Sequence, residues 1–135
     1  MSGETDLAVL LAGLEPRLQE ALYVFCTVPH ARYGDLAHTE PVASISEREG
    51  LTLILSQSAA DQEGLSYSGV FQCIRLEVHS SLYAVGLTAA VAQVLATESI
   101  SANVIAGYHH DHVFVPAERA ERALQLLRTL SEPTL

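Results

Sequence analysis

Lysine and tryptophan are absent from this sequence of 135 residues, and cysteine occurs only twice. All seven residues of the lysine and arginine class are arginines, and with 16 acidic residues the formal net charge is -9. Without lysine the chain can form neither a pyridoxal Schiff base nor a phosphate-binding loop of the lysine type. An acidic chain without a basic stripe is also a poor ligand for phosphate backbones, so the composition argues against a nucleic-acid partner.

The two cysteines, Cys26 and Cys73, each lie inside an apolar strand pattern. Neither belongs to a CxxC motif or has a cluster of positive charges beside it, and these are the features that activate a thiolate. We therefore interpret both as buried, inert thiols rather than as a redox pair.

Long hydrophobic runs are also missing, since every apolar stretch ends well short of the roughly 18 residues that a membrane-spanning helix needs. The first residues, MSGETD, place no basic residue ahead of an apolar segment, which argues against a secretory signal. We expect a cytoplasmic protein without a membrane partner. Hydrophobic residues make up 49% of the chain, enough for a core that needs neither metal nor disulfide, in one domain or two very small ones.

Local patterns in the first half predict a mixture of helices and strands. Asp6 precedes an apolar repeat that stops near Gly13, which is typical of a capped helix. A run of β-branched and aromatic residues predicts a strand buried on both faces. The elements are a helix that is capped by Asp6 and stops near Gly13 to Pro16, a strand over Ala21–Val28, a loop over His30–Glu40, hairpin strands over Val42–Ile45 and Leu51–Leu55, and a helix over Ser56–Gly64.

The second half contains the clearest alternation in the chain, in which Ile74, Leu76 and Val78 share one face of a strand. A helix beginning at Pro116 carries Glu118 and Arg122 at the spacing of an ion pair. The predicted elements are a strand over Val70–Val78, a helix over Leu87–Glu98, a strand over Ile100–Ala106, a turn over Tyr108–Asp111, a strand over Val113–Val115 and the Pro116 helix. This order is the ferredoxin-like pattern.

Four stretches carry a resemblance to a known family. They are VHSSLYAVGLT at 78–88, NVIAGYHHDHVFVP at 103–116, YVFCTVP at 23–29 and EGLTLIL at 49–55. Together they resemble the ACT-domain family, in particular its small bacterial tandem proteins, which are related to the ACT halves of the CASTOR arginine sensors. The resemblance implies an α+β fold of two packed ferredoxin-like units, with antiparallel sheets covered by helices. It divides the chain into an N-terminal half, 1–66, and a C-terminal half, 67–135.

The resemblance also implies a ligand site between the loop after the first strand of the C-terminal half and the start of its first helix. The corresponding residues are His79, Ser80, Ser81, Val85, Gly86 and Leu87 in the loop, with Asn103, Ile105 and Gly107 on the facing strand. The family loop usually carries an acidic residue and a proline, whereas this loop has His79 and Ser80 at the acidic position and no proline.

Each candidate in the loop also has a plain structural interpretation. Gly86 could let a ligand approach the helix N-terminus, or could serve only the backbone turn. Ser80 and Ser81 could bind a carboxylate or only cap a turn. Asn103 could bind both charged groups of an amino acid or only the neighbouring backbone.

The segment His109–His112 is the one candidate for metal chemistry. On a strand His110 and His112 would share a face and could hold zinc if His79 supplied a third ligand, but Asp and His are also ordinary turn residues. Cys73 and His79 lie roughly 20 Å apart along a strand, so they cannot pair there. No GxSxG or HExxH motif occurs. We therefore expect no metal, no cofactor and no catalytic residue.

These observations lead to three hypotheses of different classes. The first is a non-catalytic regulatory module that binds a small molecule, an amino acid, and forms a homodimer. The second is a structural module that oligomerises through its sheet edges without a ligand. The third is a metal-dependent hydrolase centred on His109–His112.

Overall fold

The computed structural model describes residues 3–132 of the chain. Within them lie six strands, β1 (Pro16–Val28), β2 (Ala43–Glu47), β3 (Gly50–Ser56), β4 (Phe71–Leu76), β5 (Asn103–Ala106) and β6 (Asp111–Pro116), and four α-helices, α1 (Leu7–Ala12), α2 (Gln57–Gln62), α3 (Leu87–Ala96) and α4 (Ala120–Thr129). Two short 3₁₀ helices span Ala37–Thr39 and Ala117–Arg119. The chain forms two compact units, unit 1 (Met1–Glu20 and Gln72–Leu135) and unit 2 (Ala21–Phe71).

Unit 2 is built around β3, which pairs antiparallel with β2 and with the later part of β1. The pairing with β1 runs from Tyr23 opposite Ser56 to Val28 opposite Leu51. Alternate residues of these strands point inward and form a core with the short helix α2. Its buried members are Val24, Cys26, Leu51, Leu53, Leu55 and Ala60.

Unit 1 has the strand order β1, β4, β6, β5, and β5 pairs antiparallel with β6 from Asn103 opposite Phe114 to Ala106 opposite Asp111. Helices α1, α3 and α4 bury their apolar faces in one core with β4 and β6. The fully buried members of this core include Leu10, Ile74, Leu95, Val113 and Leu127. The α+β, ferredoxin-like fold predicted from the sequence is confirmed.

Two predicted helix starts are confirmed with their caps. The Asp6 carboxylate accepts the backbone N–H of Val9 at 3.3 Å, and Gly13 follows the last residue of α1. The Ser56 hydroxyl accepts the N–H of Ala59 at 3.1 Å and begins α2. These caps satisfy backbone donors that a helix leaves unpaired at its first turn.

The prediction for β1 is wrong in two respects. The strand begins at Pro16, five residues before the predicted start at Ala21. It is also not buried on both faces, because Val24 and Cys26 on one face are buried, whereas on the other face Tyr23 and Phe25 are only half-buried and Thr27 is exposed. One face of β1 is therefore directed toward solvent, as is common in antiparallel sheets.

Arg122 does not use the predicted partner Glu118, which lies in the 3₁₀ segment before α4. Its Nε donates to Oε1 of Glu98 at 2.7 Å, and its Nη2 forms a second bond to Oε2 of the same carboxylate. The hydrogen bond from Arg122 lowers the pKa of the Glu98 carboxyl group below its ordinary value. The pair joins the end of α3 to α4.

The predicted halves 1–66 and 67–135 divide the chain by sequence order and remain a prediction. The compact units are defined differently, because the segment Met1–Glu20 belongs with Gln72–Leu135.

Every helix among residues 3–132 is too short or too polar to cross a bilayer.

Thiol reactivity tests the burial of the two cysteines. Cys26 and Cys73 are free and only 3% and 4% exposed. Burial raises the pKa of the Cys26 thiol, and it raises that of Cys73 to about 11 although Arg75 and a backbone bond to Val113 act in the opposite direction. We expect neither thiol of the native protein to react with a disulfide reagent at about pH 8, and both to react after denaturation, because the thiolate is the nucleophile. Rapid reaction of the native protein would contradict this assignment.

Candidate functional site

The predicted ligand loop, residues 79–87, connects the end of β4 with the start of α3. Gly86 precedes α3 with φ 102°, and no side chain among residues 3–132 caps the N-terminus of this helix. A Cβ atom at Gly86 would lie 3.0 Å from Cδ2 of Leu7, so a larger residue would also press on α1. Glycine is therefore required here by the backbone and by the close approach of Leu7.

The two serines of the loop differ in environment. Ser81 is 4% exposed, and its hydroxyl accepts the N–H of Tyr83 at 3.1 Å. The backbone carbonyl of Ser81 accepts the N–H of Ala84 at 3.0 Å. Ser81 thus holds a local turn. The Ser80 side chain is half-buried, and its hydroxyl forms no hydrogen bond to any residue that the structure describes.

The N-terminal segment lies directly against this loop, in a parallel bridge between Glu4 and Ser80. The Glu4 N–H donates to the His79 carbonyl at 3.0 Å, and the Ser81 N–H donates to the Glu4 carbonyl at 2.8 Å. Oε2 of Glu4 accepts the N–H groups of Thr5 and Asp6 at 3.0 and 3.2 Å. No local sequence pattern links Glu4 to a loop so distant in the chain, and sequence reasoning missed this contact.

A histidine–tyrosine cluster, His79, Tyr108, His109 and His110, connects the loop to the β5–β6 turn. The ring centroid of His79 lies 5.1 Å from that of His109 and 6.4 Å from that of Tyr108. Nε2 of His79 and Nδ1 of His110 are buried and have no hydrogen-bond partner among the described residues. Buried polar atoms without a partner are uncommon, and a ligand group is one means of satisfying them.

The segment His109–His112 is split between the turn and β6, which begins at Asp111. Burial is the main cause that raises the pKa of Asp111 and lowers that of His112. Across residues 3–132, no three histidine, cysteine or acidic side chains are gathered as a metal ion would require. The metal-dependent hydrolase hypothesis gains no support from this arrangement.

The facing residues Asn103, Ile105 and Gly107 lie in or just after β5. Asn103 is exposed and pairs with Phe114, and the half-buried Ile105 pairs with His112. The Gly107 N–H donates to the His110 carbonyl at 2.9 Å, and a Cβ atom at Gly107 would lie 2.8 Å from that carbonyl oxygen. Gly107 therefore allows the tight turn that brings His109 to His79.

Two grooves in the structure lie away from the predicted site. A groove of about 800 Å³ in unit 1 runs between the start of β1 and α4, where Arg17 and Glu121 are among its lining residues. A groove of about 540 Å³ in unit 2 lies beside β3. None of the nine predicted site residues lines either groove. The N-terminal segment instead lies against the start of the loop, where Glu4 bonds to His79 and Ser81.

Comparison with known proteins gives matches to family models described as ACT domains over residues 2–72 and again over residues 70–129. A crystal structure from Vibrio cholerae, of a protein of unknown function described as a possible transport protein, is 50% identical with a TM-score of 0.85, covering 97% of this chain and 100% of that one. None of the curated proteins matches the chain.

Two more distant structures share the fold. A protein from Agrobacterium tumefaciens is 15% identical with a TM-score of 0.71, over 89% of this chain and 90% of that one. The regulatory subunit of aspartate kinase from Thermus thermophilus is 12% identical with a TM-score of 0.65, over 90% of this chain and 99% of that one. ACT domains are regulatory, non-catalytic modules that bind small molecules, and the two models together cover residues 2–129. The chain belongs to the ACT-domain family, with two ACT-type domains in tandem.

Proposed function

We propose that this protein is a non-catalytic regulatory module that binds an amino acid at the 79–87 loop and acts as a homodimer. The observation that carries the proposal is the tandem of ACT-type domains over residues 2–129. The similarity of the fold to regulatory subunits of aspartate kinase supports the regulatory part.

The chemistry of the loop favours a ligand with a carboxylate. No charged residue occurs from Val78 to Thr97, so the loop and α3 supply no carboxylate that would repel an anion. The uncapped N-terminus of α3 presents backbone N–H groups, which bind anions. The unpaired Nε2 of His79 provides a further polar contact at the same loop. The ligand-binding set of this proposal remains His79, Ser80, Ser81, Val85, Gly86, Leu87, Asn103, Ile105 and Gly107.

A second candidate function, an oligomerisation module without a ligand, is favoured by exposed apolar side chains in the same loop. Leu82, Tyr83 and Val85 are 56%, 74% and 82% exposed. A large contiguous apolar patch at the surface is typical of an interaction site. The same residues would contribute to the interface of the proposed homodimer.

A thermal-unfolding screen against the twenty amino acids, repeated at two protein concentrations, tests the proposal. An amino acid at about 100 times its dissociation constant should stabilise the protein by roughly 2.7 kcal/mol and raise the midpoint by several degrees. We expect Ser80→Ala combined with Asn103→Ala to remove this shift without unfolding the protein. Gln62→Ala combined with Ser66→Ala changes two exposed polar residues of unit 2 and should retain it.

Each alternative gives a different result in this screen. Unchanged affinity of the Ser80→Ala, Asn103→Ala variant would contradict the site but not the amino-acid ligand. No shift with any amino acid, together with a midpoint that rises with protein concentration, would favour the oligomerisation module.

A further inference from the structure

We propose that residues Gly3–Leu7 form a strap that closes the 79–87 loop and has to open before the ligand binds. This inference rests on the proposed function, because it concerns access to the same site. It assigns to the N-terminal segment a role that neither its sequence nor its family match indicates.

The strap occupies backbone groups that a ligand at this loop would need. The His79 carbonyl and the Ser81 N–H, on either side of Ser80, are both bonded to the backbone of Glu4. An amino acid has an ammonium donor and a carboxylate acceptor, which suit one carbonyl and one N–H. The backbone of Glu4 therefore occupies the two groups that the ligand would bind.

The strap fits both ends of the loop closely. Gly3 has φ 99°, and a Cβ atom on it would lie 2.6 Å from the Ser81 nitrogen and 2.7 Å from the Ser80 carbonyl carbon. Only glycine permits this approach without displacement of one of the two backbones. At the other end Leu7 lies against Gly86, so the strap extends from Ser81 to the start of α3.

The strap is nevertheless weakly held. Residues 3–9 are all exposed, and Leu10 is the first buried residue of the described chain. The Glu4 carboxylate accepts N–H groups of its own segment, so the described hydrogen bonds between strap and loop are the two backbone bonds. Segments with few buried contacts and solvent-exposed hydrogen bonds open locally at low free energy. Opening would uncover the His79 carbonyl and the Ser81 N–H while the core stays folded.

Deletion of residues 2–5 tests the strap, because it removes Glu4 and keeps Asp6, which caps α1. Each of the twenty amino acids is titrated calorimetrically into the wild-type and shortened proteins. If the open form of the wild-type protein is populated to about 1–10%, the deletion, which removes the closed form, should raise the affinity about 10- to 100-fold. Gly3→Val should act in the same direction at full chain length, since its Cβ cannot fit against Ser81. Thr5→Ala, in the same segment, is the matched control and should leave the affinity unchanged.

Amide hydrogen exchange measured by NMR gives a second readout on the wild-type protein. Addition of an amino acid that binds should speed exchange of the Glu4 N–H and leave the Ser81 N–H protected, because the ligand replaces the strap. Binding with equal or lower affinity in both the shortened and the Gly3→Val proteins, or slower exchange at Glu4, would overturn the strap and leave the proposed function standing. No binding of any amino acid to any of these proteins would overturn the proposed function and the strap together.

Discussion

Replacement of Leu127 by alanine is expected to lower the free energy of unfolding by about 2–5 kcal/mol. Leu127 lies on α4 with 0% exposure, inside the core of unit 1. The loss combines the transfer of a large apolar side chain with the cavity that the surrounding residues fail to fill. Urea unfolding followed by circular dichroism measures it directly.

Val9→Ala is the matched control, because Val9 belongs to the same unit but is 52% exposed. Surface substitutions away from special features usually change stability by about 0.5 kcal/mol or less. Equal losses in the two variants would contradict the assignment of Leu127 to the core.

Gly50→Ala is expected to destabilise the protein by about 1–3 kcal/mol, the usual free energy of a strained backbone position. Gly50 has φ 151°, and a Cβ atom on it would lie 2.9 Å from the Val28 carbonyl oxygen and 3.1 Å from Cα of Pro29. The backbone has little room to move away, because Gly50 pairs with Glu47 across the hairpin and Leu51 pairs with Val28. The shift in the urea midpoint gives the loss.

Gly13→Ala provides the comparison for this substitution. Gly13 has φ -103°, and its nearest contact for an added Cβ atom is the Val9 carbonyl oxygen at 3.6 Å. Alanine adopts such a backbone without strain, so the expected change is within about 0.5 kcal/mol. A change of the same small size for Gly50→Ala would contradict the prediction, because it would mean that the paired strands can move apart to make room for the added Cβ atom.

Local features explain why much of the fold was predictable from the sequence. The caps at Asp6 and Ser56 act within three residues, and the alternation of Ile74 and Leu76 is a property of one strand. The family resemblance added the division into two ferredoxin-like units and the position of the ligand loop. Whether the nine loop and strand residues bind a ligand remains a prediction.

The errors concern contacts between distant parts of the chain. The early start of β1 has no strong local signal, since Pro16 and the polar residues after it resemble a helix end. Arg122 has a local candidate in Glu118, yet its partner is Glu98 on another helix. The bond of Glu4 to His79 and Ser81 likewise depends on tertiary structure, which periodicity and spacing do not encode.

The outer strands of the two units bear on the behaviour of the protein at high concentration. One outer strand of each unit is short, since β2 in unit 2 has five residues and β5 in unit 1 has four. An outer strand presents unpaired backbone groups that recruit other chains into aggregates, and a short strand offers few of them. β2 also carries two serines and ends at Glu47, and such polar and charged residues oppose stacking of copies. Of the ten large apolar side chains that are exposed among residues 3–132, six lie outside helices and strands and so add nothing to a strand edge.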